Sequence, residues 1–138
     1  MTEILRITVD TEVTALRIIR QALSKALSSA LKKTPLENKI NDIMLATDEA
    51  AQNVINHAFH GQPDGKMSII AEICGQTLHI YLEDTAPLVD LDTIAPRDLA
   101  DVREGGLGTH FIKSLTDEAV WSHHNNQNRL DMRWRIDG

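Results

Sequence analysis

"KMSIIAEICGQTLHIYLED", Lys66 to Asp84, contains two β-branched, alternating runs separated only by Gly75-Gln76. Alternation of apolar and polar residues is the period of a half-buried strand, and a two-residue link containing glycine is short enough for a hairpin turn. The segment therefore predicts an antiparallel pair.

Upstream, "ILRITVD" (Ile4–Asp10) sets Leu5, Ile7 and Val9 against Ile4, Arg6 and Thr8, which predicts another strand. From Thr14 the apolar residues Leu16, Ile19, Leu23, Ala26, Leu27 and Leu31 recur at three and four, predicting a helix that runs to Pro35. A second helix is expected from Pro35 to Gly61, with Ile40, Ile43, Met44, Thr47, Ala51, Val54, Ile55 and Ala58 on one face. Downstream, Asp84 to Glu104 holds two prolines, several acids and no sustained period, the composition of a lid or binding loop. "EGGLGTHFIKSL" then opens a helix at Thr109–Leu115, and "EAVWSHH" and "RLDMRWRI" read as closing strands around "NNQN". The order of strand, two helices, two strands, loop, helix and two strands predicts an α+β fold. Its helices pack on one face of a mixed, mostly antiparallel sheet.

Length and composition fit this picture: 138 residues leave room for one domain, 1–138. The hydrophobic fraction of 42% and charged fraction of 25% are those of a folded soluble protein, so a cytoplasmic location is expected. No apolar run approaches the roughly 20 residues of a membrane helix. A net charge of -6 gives no general attraction to phosphate backbones, which argues against direct nucleic-acid binding and leaves only local basic patches. Cys74, in an apolar-rich run, reads as an inert buried thiol, and the histidines have no zinc spacing. Trp121 and Trp134 read as core or edge packing.

Three features carry candidate chemistry. Glu49 and Asn53 are four apart, hence on one helical face about a turn from each other. They are either a solvated face or a pair able to share a ligand, the carboxylate taking a proton and the amide oxygen holding a hydrated magnesium ion. Asp84 ends a strand, either as a turn residue or as an acceptor for a base's exocyclic amine. Gly105, Gly106 and Gly108 precede a helix, either as a flexible turn or as bare backbone whose N–H groups approach an anion. The pattern is neither a P-loop nor a dinucleotide fingerprint.

In that order, these features resemble the GHKL ATPases, the fold of histidine kinases and gyrase. Within them the chain is most similar to the small anti-sigma factor serine-protein kinases of the RsbW and SpoIIAB type. "LATDEAAQNVINHAF" resembles the N box, "YLEDTAPLVD" the first glycine box and "EGGLGTHFIKSLTDE" the second, while "NRLDMRW" resembles the closing strand. The resemblance implies ATP and Mg2+ as cofactors, with Glu49 as general base and Asn53 as magnesium ligand. It implies that Asp84 holds the adenine amine and that Gly106, Leu107, Gly108 and Thr109 offer backbone groups to the phosphates. Leu88 to Glu104 would be a short ATP lid. The partners it implies are an anti-anti-sigma (STAS-domain) protein, whose serine takes the γ-phosphoryl, and a sigma factor that is sequestered. A homodimer is also in keeping with the family. One position departs: where the first glycine box carries glycine two residues after the Asp, this chain has Ala86. The added methyl puts ATP affinity in question and leaves open a non-catalytic partner-switching module. A histidine kinase would need a phosphoacceptor hairpin, and a gyrase-like ATPase a transducer domain, for which the length leaves no room.

Overall fold

The computed structural model describes residues 1–58, 65–85 and 109–137. Its elements are β1 (Thr2–Asp10), α1 (Ala15–Ala30), α2 (Ile40–Asn53), β2 (Lys66–Cys74), β3 (Thr77–Asp84), α3 (Thr109–Leu115), β4 (Glu118–His124) and β5 (Gln127–Arg135). A 3-10 turn at Pro35–Lys39 leads into α2, and a π turn at Val54–Ala58 follows it. The strands form one sheet in the order β1-β2-β3-β5-β4, and every described pairing is antiparallel.

The two hairpins follow from their turns. Gly75 has φ of 59°, the left-handed value that the first position of a type II′ turn requires, and Cys74 pairs with Thr77 across it. Asn125 and Asn126, at φ of 52° and 63°, supply the two positive values of a type I′ turn between β4 and β5. Asparagine tolerates that region better than most residues.

Alternation then sorts the side chains. Met67, Ile69 and Ala71 of β2, Leu78, Ile80 and Leu82 of β3, and Leu130, Met132 and Trp134 of β5 face the helices and are buried. Ile19, Leu23 and Leu27 of α1 and Ile43, Ala46 and Ala50 of α2 close over them. Each fully buried leucine or isoleucine contributes about 1.5–3 kcal/mol. Trp134 is buried, and its indole Nε1 donates to the Leu115 carbonyl at 2.8 Å, tying the end of α3 to the sheet. The helices lie side by side, α2 in the middle, packed against both α1 and α3.

The opposite sheet face carries no described helix and is closed by its own polar pairs. Arg129 pairs with Glu83 at 2.7 Å, Arg133 with Glu118 and Asp131, and His79 Nδ1 with Asp131 at 3.0 Å. The Tyr81 hydroxyl donates to Glu72 at 3.0 Å, with the Arg129 guanidinium over its ring. Cys74, expected to be buried, is only half-buried on this face, because β2 runs to its end there. Burial and the neighbouring Glu72 still push its thiol above the usual value, so it stays protonated and unreactive.

Both long helices are shorter than the apolar periodicity predicts. Instead of reaching Pro35, α1 stops at Ala30, because Lys33 turns left-handed at φ of 66° and the Thr34 hydroxyl donates to the Leu31 carbonyl. Thr34 itself is extended, as the residue before a proline must be. The expected 35–61 helix is divided into the 3-10, α and π pieces, and residues 59–61 lie outside the described residues.

Candidate nucleotide site

The topology gathers chain ends at one edge of the sheet. Val9 of β1, Met67 of β2, Asp84 of β3, Asn128 of β5 and His123 of β4 lie on one rung, with the Asp10–Lys66 pair beside it. The π turn that follows Asn53 is separated in sequence from Gly65, at this edge, by residues 59–64. Thr11 and Thr85 tie this edge together. Gly65 N donates to Thr11 Oγ1 at 3.1 Å, Lys66 N donates to Thr85 Oγ1 at 3.1 Å, and Thr85 N returns to the Lys66 carbonyl at 3.3 Å.

Asp84 sits on the helix side of that edge, 7% exposed. Asn128, opposite it in register, donates from Nδ2 to Asp84 Oδ1 at 3.1 Å. On the other side, His123 Nδ1 lies 3.3 Å from Asn128 Oδ1. Sequence patterning did not flag Asn128 or His123. Their place beside Asp84 becomes visible only when the two hairpin turns are used to set the register across three strands.

Polar residues of α2 divide between two flanks. Asp48 faces α1, where Arg20 grips it with Nε to Oδ1 at 2.6 Å and Nη2 to Oδ2 at 3.0 Å, and Gln52 donates to it at 2.6 Å. That bonding with Asp48 raises the Arg20 guanidinium above its ordinary value. A step of one residue is about 100° around a helix, which carries Glu49, and Asn53 four residues later, to the flank away from α1. Both are half-buried. Neither has a hydrogen-bond or ion-pair partner among the described residues. The π turn begins at Val54, immediately after Asn53, and such widened turns are frequent at functional sites.

The expected phosphate cradle falls mostly outside the described residues: Ala86, Gly106, Leu107 and Gly108 all lie there, as do Leu88 to Glu104. Thr109 is the first residue of α3. No group of three or more His, Cys, Asp or Glu able to hold a metal occurs among the described residues. One amide oxygen does not make an all-protein cage. The Asn53 amide is a hard, uncharged donor of the kind Mg2+ uses when most of its shell is water and phosphate oxygen, so the residue present fits that ion.

The family model described as histidine kinase-like ATPase domain matches residues 9–134, nearly the whole chain. The chain belongs to the histidine kinase-like ATPase family. Among curated members, the serine-protein kinase RsbW of Listeria monocytogenes is 33% identical over 87 residues, covering 57% of this chain and 55% of the relative. RsbW of Staphylococcus aureus is 32% identical over 112 residues, covering 75% and 69%. The chain thus spans little more than half the length of the first of these relatives. A crystal structure of the RsbU and RsbW domains of a Mycobacterium tuberculosis protein matches with a TM-score of 0.66 at 20% identity, over 96% of this chain and 32% of that one. A blue-light activated histidine kinase of Erythrobacter litoralis matches with a TM-score of 0.58 at 16% identity, over 88% and 42%. Both share the ATPase fold of helices on one face of a sheet. No helix among the described residues is long and apolar enough to cross a membrane.

Proposed function

We propose that this chain is a single histidine kinase-like ATPase domain, 1–138, that works as an ATP- and Mg2+-dependent protein-serine kinase of the RsbW type. The observation that carries the reading is Glu49, half-buried on α2 and unengaged among the described residues, one turn before an equally unengaged Asn53. A carboxylate already bound in an ion pair would be a poor proton acceptor, whereas Glu49 is accessible to one.

In this reading Asp84, at the sheet edge, accepts from the exocyclic amine of adenine. Gly106, Leu107, Gly108 and Thr109 offer backbone groups to the phosphates, and the α2 flank lies toward the γ-phosphate. Asn53 would hold the magnesium ion, which when bound neutralises charge on the phosphate oxygens. Glu49 takes the proton of the acceptor serine as its oxygen forms a bond to the γ-phosphorus and the bond to ADP breaks. The residues' contribution is mostly positioning, as phosphoryl transfer requires. The acceptor is a serine of an anti-anti-sigma (STAS-domain) protein and the sequestered partner a sigma factor, in the cytoplasm, without contact to nucleic acid.

Calorimetric titration with Mg-ATP and ADP, followed by transfer of labelled phosphate to a cognate antagonist, tests the proposal. Micromolar nucleotide binding with transfer to a serine supports it. Binding of partner with no transfer would overturn the kinase reading in favour of a non-catalytic switch.

A further inference from the structure

We propose that His123 and Asn128 are positioning residues for the nucleotide base, acting through Asp84 to make the site select a purine bearing a 6-amino group. The inference rests on the assignment of Asp84 to the base and deepens it. Three strands contribute one residue each to a single rung: His123 of β4 pairs with Asn128 of β5, which pairs with Asp84 of β3.

The direction of the bonds follows from the acceptor at one end. An ionised carboxylate can only accept, so Asn128 must turn Nδ2 toward Asp84, as it does at 3.1 Å. That leaves Oδ1 facing His123, 3.3 Å from Nδ1, and an amide oxygen there requires a ring N–H. The chain therefore runs from the His123 N–H to the Asn128 oxygen, and from the Asn128 N–H to Asp84. Reversing the amide would set its oxygen against the carboxylate, which is tolerable only if Asp84 is protonated.

This polarity has a chemical consequence. With an N–H donated from the sheet, Asp84 is kept an acceptor and offers an acceptor to the base. Adenine presents an amine donor at that edge, and guanine a keto oxygen that an ionised carboxylate repels. Asp84 is 7% exposed, so the bond to Asn128 is only weakly competed by water, whereas His123 is exposed and acts by holding the amide in one orientation. Asn128 is the stronger element and His123 the modulator.

Binding of ADP, GDP and purine riboside diphosphate, which is ADP without its exocyclic amine, should be measured by calorimetry on wild type, Asn128→Leu, His123→Phe and His123→Gln. Wild type is expected to prefer ADP over the amine-free nucleotide by about tenfold or more, the value of a hydrogen bond to a charged group. Asn128→Leu should reduce that preference to about twofold by weakening ADP alone. His123→Phe should reduce it partly, and His123→Gln, whose amide can donate the same N–H, should restore it. A merely structural role would weaken both nucleotides equally and leave the ratio unchanged. Since His123 is exposed, its variants remain folded controls should Asn128→Leu melt early. An unchanged ratio in both Asn128→Leu and His123→Phe would overturn the inference while leaving the base assignment intact. No preference in wild type would overturn the Asp84 assignment, and the relay with it.

Discussion

Asp48 and Glu49 are adjacent carboxylates on α2, yet the first is held by Arg20 and Gln52 while the second has no partner among the described residues. The difference arises from the helix itself: one residue of rotation turns Asp48 toward α1 and Glu49 away from it. An ion pair formed within the fold fixes a helix, and a half-buried acid without one is available for chemistry.

Four substitutions and one titration test this contrast. Glu49→Gln should lower phosphoryl transfer by about 10²–10⁴-fold, the worth of a general base, with little change in ADP affinity or melting temperature. Single-turnover transfer from labelled ATP, beside a thermal melt, checks it; equal transfer by the variant would make Glu49 a surface acid like any other.

Tyr81 extends the comparison to the sheet face that carries no described helix, whose groups are also bonded to one another. Burial first, then donation to Glu72, raises its phenol from 10.0 to about 12. Because the folded value lies above the unfolded one, the stabilisation is complete below pH 10 and is lost as pH rises through about 12. Tyr81 is the only tyrosine, so absorbance of tyrosinate reads it alone, and a midpoint near pH 10 in the folded protein would contradict the packed face. Glu72→Gln should move the midpoint down.

Asn53→Ala should weaken Mg-ATP binding by about tenfold while affecting metal-free ATP little, as loss of one ligand to a shared ion would do. Titrations with magnesium and with a chelator separate the two. The smallest effect is expected on the opposite flank. Asp48→Ala should cost about 0.2–1 kcal/mol of stability, since Arg20 is half exposed, and leave nucleotide binding at the wild-type level. Denaturant unfolding measures it, and a loss of nucleotide affinity would erase the distinction between the flanks.

How much of this was legible in sequence depended on whether the information was local. The β2–β3 hairpin was legible because alternation and Gly75 lie within a few residues of each other, and α3 because glycines mark its start. The end of α1 was misplaced because Leu31 continues the apolar stripe, although the chain turns at Lys33. The π turn after Asn53 changes side-chain spacing without requiring any particular residue type, so no pattern announces it. The Glu49–Asn53 pairing could be read from helical spacing, but whether either was engaged could not, because Arg20 reaches Asp48 from 28 positions away. Asn128 became meaningful only once it was placed opposite Asp84.

The order of the strands has a consequence for how the molecule assembles. The β2–β3 and β4–β5 hairpins join neighbours in sequence through two-residue turns, and such units form in about 1–10 μs. The edge strand β1 is different, since the contact that closes it, Thr11 to Gly65, spans 54 positions and encloses both long helices. Closing that loop costs entropy that the β1–β2 ladder and the packed helices offset together. β1 should be the last of these strands to be fixed, and native-state hydrogen exchange should find its amides opening ahead of those in β3.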